Sequence, residues 1–88
     1  MRESKIERHL RVRIHRIGGL CIKMGQDGWP DRLVILPGGE TVFVELKATD
    51  GRVKPHQARR HETLDKYEQE VIIPRSVEDI NKRFPIRG

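Results

Sequence analysis

Only one cysteine, Cys21, occurs in the 88 residues. That excludes an intramolecular disulfide and a zinc site built on several thiolates. Cys21 lies in a short apolar run and reads as a buried structural thiol. Aromatic residues are almost as scarce, with one Trp, one Tyr and two Phe, so any core is built mainly from aliphatic side chains. No apolar run approaches the roughly 20 residues that span a bilayer. The N-terminal stretch MRESKIERHLR is charged throughout, which argues against a signal peptide and for a cytoplasmic protein. Acidic residues are in deficit, 13 Asp and Glu against 18 Lys and Arg, for a net charge of +5. A basic surface attracts polyanions, of which nucleic acid is the most abundant in a cell; a basic but otherwise inert surface is the plainer reading of the charge alone.

The length allows one domain, residues 1–88. A domain this small buries only about 60% of its unfolded surface, so dimerisation would help it. Its apolar residues nevertheless recur with structural periods. Ile6, Leu10, Ile14 and Ile17 share a helical face, with Ser4 and Glu7 at capping-box spacing ahead of it and Gly18-Gly19 behind. Strands are expected over 20–24, 32–36 and 41–48, the last two forming a hairpin about Pro37-Gly38-Gly39-Glu40. A second helix is expected from Pro55 to about Tyr67, with Gln57, Arg60, Leu64 and Tyr67 on one face. Val71-Ile72-Ile73 reads as another strand ended by Pro74, and Ser76 as the cap of a last short helix bearing Val77, Ile80 and Phe84. The order α-β-β-β-α-β-α defines an α/β fold, one mixed central sheet flanked by helices.

The chemistry gathers at Pro30-Asp31, followed after 13 residues by Glu45-Leu46-Lys47. Side chains alternate along a strand, so Phe43, Glu45 and Lys47 share one face while Val42, Val44, Leu46 and Ala48 make an apolar opposite face. Charges on a central strand must be paired or bind a metal. Asp31 opens the neighbouring hairpin strand and is able to lie beside Glu45. Two converging carboxylates repel unless a cation sits between them, and magnesium prefers such oxygen ligands. Lys47 would then orient the attacking water and stabilise charge on a phosphate. Glu7, on the first helix, is able to add a further carboxylate.

These residues, in the form PD-x13-ExK, resemble the PD-(D/E)XK nuclease superfamily. The segments GWPDRLVILPGGETVFVELKA and PHQARRHETL, with KIERHL, GGLCIKM and the closing VEDINKRF, resemble the VRR-NUC family along nearly the whole chain. The likeness is to minimal, stand-alone members found in phages and bacteria. It implies a restriction-endonuclease-like core and magnesium- or manganese-dependent hydrolysis of DNA phosphodiesters. Asp31 and Glu45 match its metal-binding carboxylates, Leu46 a position whose backbone carbonyl also binds metal, and Lys47 its catalytic lysine. Glu7 matches its helix-1 glutamate, Gln57 a helix-2 glutamine beside the site, and Gly28 and Pro30 the loop that shapes entry to the first site strand. A homodimer acting on branched DNA, such as a four-way Holliday junction, is the further implication.

Plainer roles stand beside these. Asp31 could cap a turn, Glu45 and Lys47 could face solvent on an edge strand, Glu7 fits the capping box, and Gln57 could be an ordinary helix residue. Lys23, Lys54, Arg59 and Arg60, with Arg52, form either a phosphate-tracking patch or a solvated face. Trp29 is read as a core anchor ahead of a base-stacking group. His9, His15, His56 and His61 show no metal-ligand spacing. Without a working site, the chain would be a nucleic-acid-binding accessory module; with it, RNA or linear DNA ends are the competing substrates.

Overall fold

A computed structural model describes residues 3–86. Helix α1 (Glu3–Arg16) leads into strands β1 (Leu20–Lys23), β2 (Arg32–Ile35) and β3 (Thr41–Val44). Helix α2 (Pro55–Lys66), strand β4 (Glu70–Ile72) and helix α3 (Val77–Arg83) follow. The strands form one sheet in the order β1-β2-β3-β4. The first three are antiparallel neighbours, and β4 lies parallel to β3 after the α2 crossover. This is the mixed-sheet α/β fold that the residue pattern implies.

One sheet face carries the core. Ile6, Leu10 and Ile14 of α1, at helical spacing, pack with Val34, Val42, Val44 and Leu46 of the sheet and with Ile80 and Phe84. Residues of period two on β2 and β3 meet residues of period 3.6 on α1, so each element buries the side its pattern prescribes. Ser76 caps α3 by accepting from the Asp79 N–H at 3.1 Å. Helix α2 takes the opposite face, where its His61 meets Glu45 and its end packs beside β4.

Several local expectations are corrected. Ser4 lies inside α1, which already includes Glu3, so it is not the N-cap and no capping box with Glu7 forms there. Regular β3 stops at Val44 rather than Ala48, although the chain continues beside its parallel neighbour: the Glu45 N–H donates to the Ile72 carbonyl at 2.9 Å and that of Lys47 to Pro74 at 3.4 Å. Helix α2 ends at Lys66, one residue short of Tyr67, which sits at the C-cap and is 74% exposed. Cys21 is half-buried against the core edge, where desolvation pushes its thiol up, away from the reactive thiolate.

Candidate nuclease site

The hairpin register creates the site. Arg32 pairs with Val44, so the preceding Asp31 falls level with Glu45. The Asp31 carbonyl accepts from the Met24 N–H at 2.9 Å, which fixes the residue's backbone against the β1 side. Its side chain turns the other way, and Asp31 Oδ2 accepts from the Leu46 N–H at 2.7 Å. Leu46 is anchored in turn, because its side chain belongs to the core. One carboxylate is thus locked to the backbone directly beside the residue that carries the other.

Glu45 points away from the core yet is only 1% exposed. It is covered by α2, whose His61 Nε2 lies 3.4 Å from Glu45 Oε1. Desolvation and the positive charge of Lys47 push the His61 imidazole below its ordinary pKa, so it is neutral at pH 7. The contact is a long hydrogen bond to a neutral ring rather than an ion pair. Lys47 is half-buried two residues after Glu45, and its positive charge acts on the His61 ring. The chain after Lys47 is braced by Arg75, whose guanidinium donates to the carbonyls of Ala48 (3.2 Å) and Gly51.

Asp31, Glu45, Leu46 and Lys47 are therefore brought together. Glu7 and Gln57 are engaged elsewhere. Glu7 Oε1 pairs with Arg32 Nη2 at 3.3 Å, against an arginine that is itself buried. Gln57 Oε1 accepts from the Lys54 N–H at 2.9 Å and so caps its own helix. Lys23, Lys54, Arg59 and Arg60 are all exposed. Gly28 and Pro30 are buried where the β1–β2 loop meets α2.

Trp29 is the main correction: it is outside the core cluster and half-buried, with the Arg60 guanidinium 4.7 Å from its ring centroid. Arg32 and His61 escaped the sequence reading. The Arg32 burial had a signal, since the residue shares the strand face of Val34. The His61 contact had none, because it depends on how α2 is rotated over the sheet.

Among the described residues, no three His, Cys, Asp or Glu side chains are arranged to hold a metal ion. Two carboxylates and a peptide carbonyl remain, an all-oxygen donor set that suits magnesium or manganese more than zinc. A recess of about 570 Å³, lined by Ile17, Leu36, Glu40, Arg83 and Phe84, is at the hairpin's opposite end. It contains none of these groups.

Known proteins resemble the chain in sequence and in fold. No family model matches the chain. A curated protein of Acyrthosiphon pisum secondary endosymbiont phage 1, named "Putative nuclease p44", is 40% identical over 88 residues, covering 97% of this chain and 94% of its own. A solved structure described as a VRR-NUC domain superposes with a TM-score of 0.84 at 36% identity, over 91% of this chain and 90% of that one. The chain belongs to the VRR-NUC family. As a VRR-NUC protein it is a nuclease, and the carboxylate pair lies in a fold that the family shares.

Proposed function

We propose that this VRR-NUC domain is a divalent-metal-dependent endonuclease that hydrolyses DNA phosphodiesters in branched structures as a homodimer. The observation that carries the reading is the lock between Asp31 Oδ2 and the Leu46 N–H, which holds one carboxylate beside the buried Glu45. Asp31, Glu45 and the Leu46 carbonyl would hold magnesium or manganese. The bound ion would supply Lewis acidity toward the scissile phosphate and lower the pKa of a water. Lys47 orients the nucleophile and offsets the charge that grows on the phosphate. Glu7 and Gln57 support the site indirectly, Glu7 through Arg32 beside Asp31 and Gln57 by fixing the start of α2, which delivers His61. Exposed Lys23, Lys54, Arg59 and Arg60 hold the flanking phosphates.

A second copy of the chain is supported by the uncovered part of the sheet. Leu20 and Ile22 on edge strand β1 are 60% and 43% exposed. By register they share a face with Leu33, Ile35 and Phe43, and farther along β3 with Glu45. A two-fold pairing over this apolar surface would flank both sites and present them to two strands.

The test is cleavage of a labelled four-way DNA junction beside duplex, flap, single-stranded DNA and RNA, with magnesium, manganese or EDTA, and with the mass in solution measured by sedimentation. Junction cutting by a dimer that stops in EDTA is the expected result. Cutting unaffected by EDTA would remove the metal, and preferential cutting of linear DNA or RNA, or a persistent monomer, would remove the junction-cleaving dimer.

A further inference from the structure

The sequence contains one tryptophan, and the fold spends it outside the core. Trp29 sits half-exposed on the loop between β1 and β2. A tryptophan is the largest apolar side chain available, and a core built with four aromatics in the whole chain forgoes substantial burial by leaving it there. The loop is held firmly. Buried Gly28 has φ +83°, and a Cβ at that position would lie 3.1 Å from His56 Cδ2 and 3.5 Å from Arg60 Cγ. Asp27 Oδ1 approaches His56 Nε2 at 3.5 Å, and the Trp29 N–H donates to the Gln26 carbonyl at 3.3 Å. The ring is thus set in place against the first turns of α2, with the Arg60 guanidinium over it at 4.7 Å.

Both halves of this stack adjoin the carboxylates along the chain. Trp29 precedes Asp31 by two residues, across buried Pro30. Arg60 precedes His61, which touches Glu45. A basic recess of about 330 Å³, lined by His56, Arg59, Arg60 and Thr63, continues from the stack along α2. An aromatic ring next to exposed guanidinium groups is suited to a nucleobase and its phosphate. The base offers a π-face to the indole, and the arginines take the charge. Bases inside a duplex have both faces occupied by their neighbours, so only an unpaired or splayed base is able to enter such a stack.

We infer that Trp29 and Arg60 form a stacking site for one unpaired nucleobase next to the bond that is cut, with Arg59 on the adjoining phosphate. The inference rests on the nuclease reading and sharpens it: the enzyme engages a junction through a base displaced at the branch point. Without such a ligand the Trp29–Arg60 contact would serve only to brace the loop, and the two roles give different results.

Because Trp29 is the only tryptophan, its emission reports on this position in the unmodified protein. The experiment titrates the full chain, in EDTA so that nothing is cut, with three end-labelled DNA duplexes. One is fully paired, one carries a single bulged thymidine, and one has an abasic residue at the bulge. Anisotropy of the label reads binding, and indole emission reads stacking. The bulged thymidine is expected to quench Trp29 and to bind roughly tenfold tighter than the abasic bulge. Trp29→Leu should erase that tenfold difference, and Trp29→Phe should retain most of it. Equal binding and equal emission with thymidine and abasic bulges would overturn the stacking site, while junction cleavage by the same preparation would leave the nuclease reading standing. Failure to bind any of the three, together with failure to cut, would overturn both.

Discussion

Asp31 and Glu45 were legible as a pair because strand alternation separates Glu45 and Lys47 from the apolar face of Val42, Val44 and Leu46, and the core does take those three. Arg32, Trp29 and His61 were harder to place. Their surroundings are set by residues far along the chain, Glu7 for Arg32, Arg60 for Trp29 and Glu45 for His61, and no local period encodes those meetings. The scarcity of aromatics favoured a core position for Trp29; the aliphatic side chains of α1 and the sheet, with Phe84, fill the core without it. Gly28 carries a prediction at this scale. Its positive φ disfavours any Cβ, and one placed 3.1 Å from His56 Cδ2 would require that ring to give way. Gly28→Ala should lower stability by about 1–3 kcal/mol, measured by urea denaturation, and should disturb Trp29 emission in the folded protein. An unchanged midpoint would mean that the loop is not held against α2 in the way described.

Element boundaries followed the sequence where a residue made its own local bond, and departed from it where tertiary contacts decided. Ser76 caps α3 as its position implies. Ser4 does not cap α1, since the helix already contains it. The shortening of β3 at Val44 is a change of hydrogen-bonding partner: beyond it, the Glu45 and Lys47 N–H groups donate toward the β4 side while Leu46 gives its N–H to Asp31. That diversion is what turns a strand end into a site. At the far side, α3 is tied to the sheet by Arg83, which reaches Glu70 at 2.7 and 2.8 Å and Glu40 at 2.8 Å. The Arg83 hydrogen bonds hold the Glu70 carboxyl below its ordinary value, outweighing desolvation. A folded pKa below the unfolded one contributes stability that is present above the usual glutamate value of about 4.3 and lost as pH falls through the lowered one. Both glutamates are well exposed, so solvent screening limits the contribution to about 1 kcal/mol. Arg83→Ala should therefore lower Tm at pH 7, with the gap to wild type closing below about pH 4. A gap that is constant across this range would assign the Arg83 effect to packing on Phe84 alone, where its guanidinium lies 5.1 Å from the ring.

For the molecule as a whole, one sheet serves two purposes through its two faces. The face under α1 and α3 is buried and apolar apart from Arg32, and stabilises the fold. The other is split between α2, which encloses Glu45 and His61, and the uncovered apolar surface of β1 and β2. Excess basic charge, +5 over the chain, is compatible with a polyanionic substrate drawn toward a pair of carboxylates, provided that a cation mediates between them. No helix among the described residues is long and apolar enough to cross a membrane. The substrate geometry was not legible from composition or spacing, since a phosphodiester site of this kind is indifferent to what lies beyond the nearest phosphates. The sheet surface and the Trp29 stack are where that discrimination would be written.

The central claim is that Asp31, Glu45 and Lys47 form one metal-dependent hydrolytic site. The most direct measurement is magnesium-dependent cleavage of a labelled four-way junction by wild type, Glu45→Gln and Lys47→Ala, with magnesium or manganese binding measured by calorimetry on the same preparations. Glu45→Gln should lose both cleavage and metal binding. Lys47→Ala should lose cleavage by about 100-fold or more while still binding the metal. Both variants should remain folded by circular dichroism. Folded variants that cut as well as wild type would contradict the account and move the chemistry away from this hairpin.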